Sequence, residues 1–287
     1  MRATQKPVVI ETVRGMCEAL AAERAAGRTI ALTPTLGALH DGHLSHLDRA
    51  AELADVMVVS IFVNPTQFSD AADLDKYPRT LEADLLALGA AGVHYVFVPT
   101  VEEMYPDGPT QTVVTAGRVG TLFEGASRHG HFDGVLTVVA KLLDIITPNV
   151  ATFGQKDAQQ LFLVRRMVRD LNLPVRIEAI ETVREADGLA LSSRNRFLDT
   201  NQRRAARSLS IALEAASSSA ERGLDATLAA AQGALMGESL VQLDYLKIVH
   251  PQTFMPVDDG HHGPAIVILA AMLGTTRLID NEPIYLG

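Results

Sequence analysis

Four short stretches of this chain collect side chains that handle anions. The first is Thr33-Pro34-Thr35-Leu36-Gly37-Ala38-Leu39-His40-Asp41-Gly42-His43, with two histidines three residues apart and Gly42 between them. It follows an apolar run and opens a helical pattern, and free N–H groups at a helix start suit a phosphate. The same pair also reads as helix-capping or surface histidines, or as half of a zinc site that lacks a third ligand nearby. The second stretch is Asn64-Pro65-Thr66-Gln67-Phe68. Its amides either orient a polar substrate without adding charge or bond their own backbone in a turn. The third is Gly154-Gln155-Lys156-Asp157, with Gln160 on the same helical side as Lys156. A cation at a helix start is disfavoured by the dipole, and a phosphate partner offsets that cost. The alternative is a solvated lysine with Asp157 as cap. The fourth is Leu191-Ser192-Ser193-Arg194-Asn195, two hydroxyls and a permanent charge able to wrap a triphosphate, or else a serine-rich surface turn. Residues 123–132, rich in glycine and histidine, read as a mobile loop or lid, with His129 and His131 either binding metal or without a role.

The elements that must carry these stretches alternate in type. Apolar runs at 30–32, 56–63, 95–98, 150–153 and 175–180 read as strands, with 56–63 buried on both faces and 95–98 another buried strand. Helical spacing marks 44–54, 81–88, 135–146 and 157–170 between them. Such alternation implies right-handed crossovers and a parallel sheet, so residues 1–182 are expected to form a Rossmann-like, doubly wound α/β domain. Ligands of such sheets bind beyond the carboxyl ends of the strands, where the polar stretches fall. From 183 to 287 the order changes to helices at 201–222 and 225–236, then strand-like runs at 241–249, 265–273 and 277–280. That pattern predicts a smaller α+β domain closing over the site.

Composition narrows the functions. With 25 Lys and Arg against 34 Asp and Glu, the net charge of −9 argues against a sequence-blind grip on nucleic acid. The single cysteine, Cys17, excludes an internal disulfide and a cysteine-rich zinc site. Residues 1–7 are polar, unlike a signal peptide, and the longest apolar run, 265–273, is about half of a membrane span, so a cytoplasmic protein without a membrane partner is expected. No P-loop and no nucleophile elbow is present. Cations beside neutral amides fit one task well, holding a carboxylate against the α-phosphate of ATP while pyrophosphate leaves.

The His-x-Gly-His stretch resembles the signature of the nucleotidylyltransferase superfamily. SIFVNPTQF at 60–68, KYPRT at 76–80, GQKDAQQL at 154–161 and VREADGLALSSRNRFL at 183–198 together resemble the pantoate–β-alanine ligase family. The resemblance implies an ATP-dependent, AMP-forming ligase. Pantoate and ATP give an enzyme-bound pantoyl adenylate and pyrophosphate, and β-alanine then displaces AMP. It implies that Leu36, Gly37, Ala38, Leu39, His40, Asp41, Gly42 and His43 line the nucleotide, with both histidines on phosphates and His43 as proton donor. Gly154, Gln155, Lys156 and Asp157 cradle ATP, with Lys156 on the phosphates and Asp157 near the ribose. Val183 borders the adenine, and Leu191, Ser192, Ser193 and Arg194 close on the triphosphate. Gln67 and Gln160 hold pantoate, Asn64 and Gln67 lie near β-alanine, and Arg128 and His131 belong to a flexible cover. Asp84 matches a position linked with Mg²⁺, although its neighbour Ala83 is not acidic. A homodimer is implied as well. The chain departs from the family's usual residues at Leu36 and Leu191 (methionine), Asp41 and Gln155 (glutamate). None of these removes a reacting group, and the two leucines conserve volume.

Overall fold

The computed structural model describes residues 6–68 and 71–287, with 71–73 described by backbone alone; the polar chain start at 1–5 lies outside the described residues. Contacts divide the chain into two compact units. One holds Met1–Gly154 and Leu163–Ile180, and the other holds Gln155–Phe162 and Glu181–Gly287.

The first unit alternates strand and helix. In order come β1 (Val8–Ile10), α1 (Val13–Ala25), β2 (Ile30–Thr35), α2 (Asp41–Leu53), β3 (Val56–Ile61), α3 (Ala71–Lys76), α4 (Leu81–Ala90) and β4 (Tyr95–Phe97). Then follow α5 (Val101–Met104), α6 (Glu124–Ser127), α7 (His131–Ile146), β5 (Val150–Gly154), α8 (Ala158–Asp170) and β6 (Arg176–Ile180). Every described pairing in this sheet is parallel, in the order β1-β4-β3-β2-β5-β6. All six residues of β3 are buried, as expected of a strand covered on both faces. On one side of the sheet Leu47 of α2 and Leu88 of α4 pack with Val59, Ile61, Val93 and Val96. Strand order reverses between β2 and β5, so the crevice beyond their carboxyl ends is the topological switch point. The loop carrying His40 leaves from β2, and Gly154 closes β5.

The elements β1 and α1 escape the sequence reading, as do the short helices α3 and α5. The three residues of β1 leave no periodicity to read, and α1 buries a narrow stripe of Met16, Leu20 and Glu23. Residues 124–127, expected within a loop or lid, form a helical turn with Glu124 and Gly125 buried, and His131 already opens α7. A Cβ on Gly125 would fall 1.8 Å from the carbonyl oxygen of Gly120, so only glycine permits that approach.

The second unit holds α9 (Thr200–Ser219), α10 (Leu224–Leu235), β7 (Val241–Val249), β8 (Gly263–Leu273) and β9 (Thr276–Leu286). Asp199 caps α9, its Oδ1 accepting from the backbone of Asn201 and Gln202 at 2.8 and 2.9 Å, while Gln202 returns the bond to Asp199 N. The helix runs through Ser217–Ser219 without a break, and Ser219 is buried. The three strands form an antiparallel sheet with β8 central. Leu209, Leu213 and Ala216 of α9 bury against Val267, Leu269 and Ala271 of β8. The strand expected at 277–280 extends to Leu286.

Candidate active site

In the first unit the chain leaves β2 through a tight loop. Thr35 Oγ1 donates to Ser60 O at 2.8 Å and accepts from Gly37 N at 3.2 Å. Gly37 and Ala38 both lie in the left-handed region, at φ +85° and +54°. For Ala38 that backbone costs on the order of 1 kcal/mol. Asp84 on α4 offsets it: Oδ2 accepts from Ala38 N at 3.0 Å and Oδ1 from Leu39 N at 2.9 Å. Thr80 Oγ1 also donates to Oδ2 at 3.1 Å, and Asp84 is only 3% exposed. Both oxygens of the residue matched to a magnesium position thus hold loop backbone. Among the described residues no three His, Cys, Asp or Glu converge as metal ligands, so this donor set does not fit a resident metal.

The loop delivers His40 and His43 to the start of α2. His43 Nδ1 accepts from His40 N at 3.3 Å, and the ring centroids stand 4.1 Å apart. With Nδ1 accepting, the ring proton sits on Nε2. In that tautomer His43 Nε2–H is a donor.

After β3, Asn64 opens a 3-10 turn over Pro65–Gln67. Asn64 is fully buried, and every polar atom of its amide is engaged. Its Oδ1 accepts from Tyr105 Oη at 2.8 Å and Thr66 Oγ1 at 3.0 Å. Its Nδ2 donates to Gln67 Oε1 and Gly134 O, each at 3.2 Å. Burial raises the Tyr105 phenol, against a lowering contribution from Thr66, so it remains a donor at neutral pH. Gln67 is held from behind as well. His131 Nδ1 lies 2.7 Å from Gln67 O, an atom that only accepts, so Nδ1 carries the proton. His131 Nε2 then accepts from Arg128 Nη1 at 3.0 Å. Gly134 completes the cage: a Cβ there would come within 2.2 Å of Thr66 O. Asn64 and His131, expected against substrate, thus spend their polar atoms on Gln67 and its neighbours. Gln67 Oε1 is taken by Asn64, which leaves the amide nitrogen as the donor end of that side chain.

In the second unit, Gln155–Phe162 joins β9. Asn281 Nδ2 donates to Gln155 O at 2.9 Å and Lys156 O at 2.8 Å, and Phe162 stacks near Phe254 at 5.2 Å. Leu161 N bonds Asp157 O at 2.9 Å, which starts the helical run carrying Gln160. Residues 183–191 form a small hairpin, with Leu191 N on Val183 O at 2.9 Å and a bridge between Arg184 and Ala190. Arg184 clasps Asp280 at 2.6 and 3.1 Å. Burial works to lower the Arg184 pKa, but Asp280 overrides it and holds the guanidinium above its ordinary value. Glu282 is raised by burial, with Arg184 opposing and Asp280 adding to the shift. Ser192 Oγ accepts from Arg194 N at 3.2 Å, and Asn195 Nδ2 ties the loop to Glu185 at 2.7 Å and Ala190 O at 3.1 Å. Arg203 pairs with Glu185 and Asp187. Lys156 and Arg194 form no ion pair among the described residues, and both are half-buried.

Tyr105 and Asn281 are absent from the sequence reading. Tyr105 follows a four-residue helix and carried no local signal. Asn281 stands in Asp280-Asn281-Glu282-Pro283, where a strand pattern breaks into polar residues, and that break was the available signal.

The model of the family "Pantoate-beta-alanine ligase" matches residues 8–283. A pantothenate synthetase of Leifsonia xyli is 55% identical over 279 residues, covering 97% of this chain and 96% of that protein. The structure superposes on pantothenate synthetase from Thermus thermophilus with a TM-score of 0.89 at 45% identity, covering 96% and 98% of the two chains. Pantoate-β-alanine ligase from Francisella tularensis, solved with β-γ ATP and β-alanine, gives 0.79 at 31% identity, covering 96% and 97%. With a six-strand parallel sheet, a separate antiparallel three-strand sheet and these matches, the chain belongs to the pantoate–β-alanine ligase family.

Proposed function

We propose that this ligase joins pantoate to β-alanine in two steps through a pantoyl adenylate. In the first, a pantoate carboxylate oxygen attacks the α-phosphorus of ATP and pyrophosphate leaves. In the second, the amine of β-alanine attacks the carbonyl, the C–N bond forms, the C–O bond breaks, and AMP departs with the bridging oxygen. Adenylation replaces a poor leaving group with a good one, so the amine needs positioning more than activation.

One observation carries the reading. Lys156 and Arg194 sit in loops whose backbones are fastened, yet their charges meet no carboxylate among the described residues. Uncompensated cations in fixed loops call for a polyanion, and they stabilise charge as it develops on a leaving pyrophosphate. The Francisella ligase, with ATP analogue and β-alanine bound, supports the same substrates here. His40, His43, Ser192 and Ser193 serve the phosphates with them, Asp157 the ribose and Val183 the adenine. Gln67 and Gln160 hold pantoate. Magnesium comes with the nucleotide as its phosphate complex, since Asp84 is committed to backbone. The working form is a cytoplasmic homodimer, and light scattering of the purified chain tests the dimer.

Pyrophosphate and AMP release test the reaction order. With ATP, Mg²⁺ and pantoate alone, one equivalent of pyrophosphate per site is expected in a burst. Addition of β-alanine then gives steady release of AMP. Folded protein that releases no pyrophosphate until β-alanine is present contradicts the two-step reading.

A further inference from the structure

Asn281 stands on β9, outside every stretch that the family resemblance marks, and it is 3% exposed. Its one amide nitrogen serves two consecutive carbonyls, those of Gln155 and Lys156, at 2.9 and 2.8 Å. Its backbone N–H is taken by Asp280 Oδ1 at 2.8 Å, and that same carboxylate clasps Arg184, next to Val183. Two adjacent buried residues of β9 therefore fasten both loops that the second unit gives to the nucleotide.

We propose that Asn281 is a positioning residue for the ATP phosphates: its amide turns the Gln155 and Lys156 carbonyls inward and so presents the opposite side of those peptides to the nucleotide. In a trans peptide the C=O and N–H point in opposite directions. Carbonyls drawn to Asn281 leave the N–H groups of Lys156 and Asp157 facing away from it, as donors for an anion. Released carbonyls would be free to turn toward the phosphates and repel them. Two donors on one short side chain are needed, which asparagine provides and aspartate, serine and alanine do not. The proposal rests on the reading of 154–157 as the nucleotide cradle, so its test must separate the two.

The test measures ATP–Mg²⁺ affinity by calorimetry and Michaelis constants for all three substrates in the full chain. It compares Asn281→Ala, Asn281→Ser and Asn281→Asp with Lys156→Ala, each checked for folding by circular dichroism. Asn281→Ala is expected to weaken ATP binding about tenfold or more, in keeping with an unmet pair of buried acceptors. The β-alanine constant stays within about twofold, since its binding does not depend on those peptides. Serine, with one donor, falls between. Aspartate sets an acceptor against two acceptors, so it binds ATP worst at high pH and recovers toward the parent as falling pH protonates it. A merely structural role would weaken β-alanine binding along with ATP binding, so the split between the two constants separates the two roles. ATP affinity like the parent's in Asn281→Ala and Asn281→Asp, with Lys156→Ala impaired, overturns the proposal alone. Parent-like affinity in Lys156→Ala overturns the reading of the loop itself. If the alanine variant does not fold, the serine and aspartate variants decide the matter by the same readings.

Discussion

The two units prepare their polar groups in opposite ways. In the first, the residues around His43 and Gln67 are buried and hydrogen-bonded: Asp84 fastens the His40 loop, and Asn64, Tyr105 and His131 enclose Gln67. The donors within that frame are His43 Nε2 and the Gln67 amide nitrogen. In the second unit the frame stops at the backbone. Asn281 and Ser192 hold the loops, while the Lys156 and Arg194 charges form no ion pair among the described residues. A neutral, rigid donor discriminates by geometry and hydrogen-bond polarity, whereas an uncommitted cation contributes in proportion to charge. The first arrangement suits the choice of an acid, and the second suits a triphosphate whose charge moves during reaction.

Substitutions can break this contrast. Lys156→Ala and Arg194→Ala are expected to slow pyrophosphate formation by about 10²–10³-fold with the fold intact, and Arg194→Lys to recover little of it. Rapid-quench measurement checks the rate, and circular dichroism the fold. Asp84→Asn sets N–H against N–H in the His40 loop. It should cost about 1–3 kcal/mol of stability and about tenfold in rate, without rescue by added Mg²⁺. Rescue by the metal would return Asp84 to a ligand's role. Asn64→Asp faces Gln67 Oε1 with an acceptor and forces the amide to turn. The Michaelis constant for pantoate is expected to rise about tenfold while ATP affinity holds.

The smallest effect concerns Glu282. Burial raises its pKa, so its favourable contribution is full in acid and is lost as pH rises through the raised value. Glu282→Gln is therefore expected to raise the melting temperature slightly at neutral pH and not in acid. Melting curves at both pH values decide it.

Much of the sheet was legible because β-branched runs between turn residues leave few alternatives, as with β3 and its six buried residues. The site residues were legible through long ordered motifs rather than through spacing alone, since each stretch by itself also read as a cap, a turn or a solvated face. What escaped were roles set from far away in sequence. Asp84 acts on a loop 45 and 46 residues earlier, and Asn281 acts on carbonyls 125 and 126 residues earlier. The polar run at 280–283 looked like the end of a strand because local propensity cannot see the partners that make it one. Asp280 has Arg184, Asn281 has the Gln155 loop, and Pro283 lies on an edge strand where it breaks no needed ladder.

The proposed reaction turns on one bond, that between a pantoate oxygen and the α-phosphorus. Pantoate labelled with ¹⁸O in its carboxylate, turned over with ATP, Mg²⁺ and β-alanine, tests it directly by mass spectrometry of the products. One labelled oxygen is expected in each AMP and none in pyrophosphate. Label appearing in inorganic phosphate, or AMP formed without label, contradicts it.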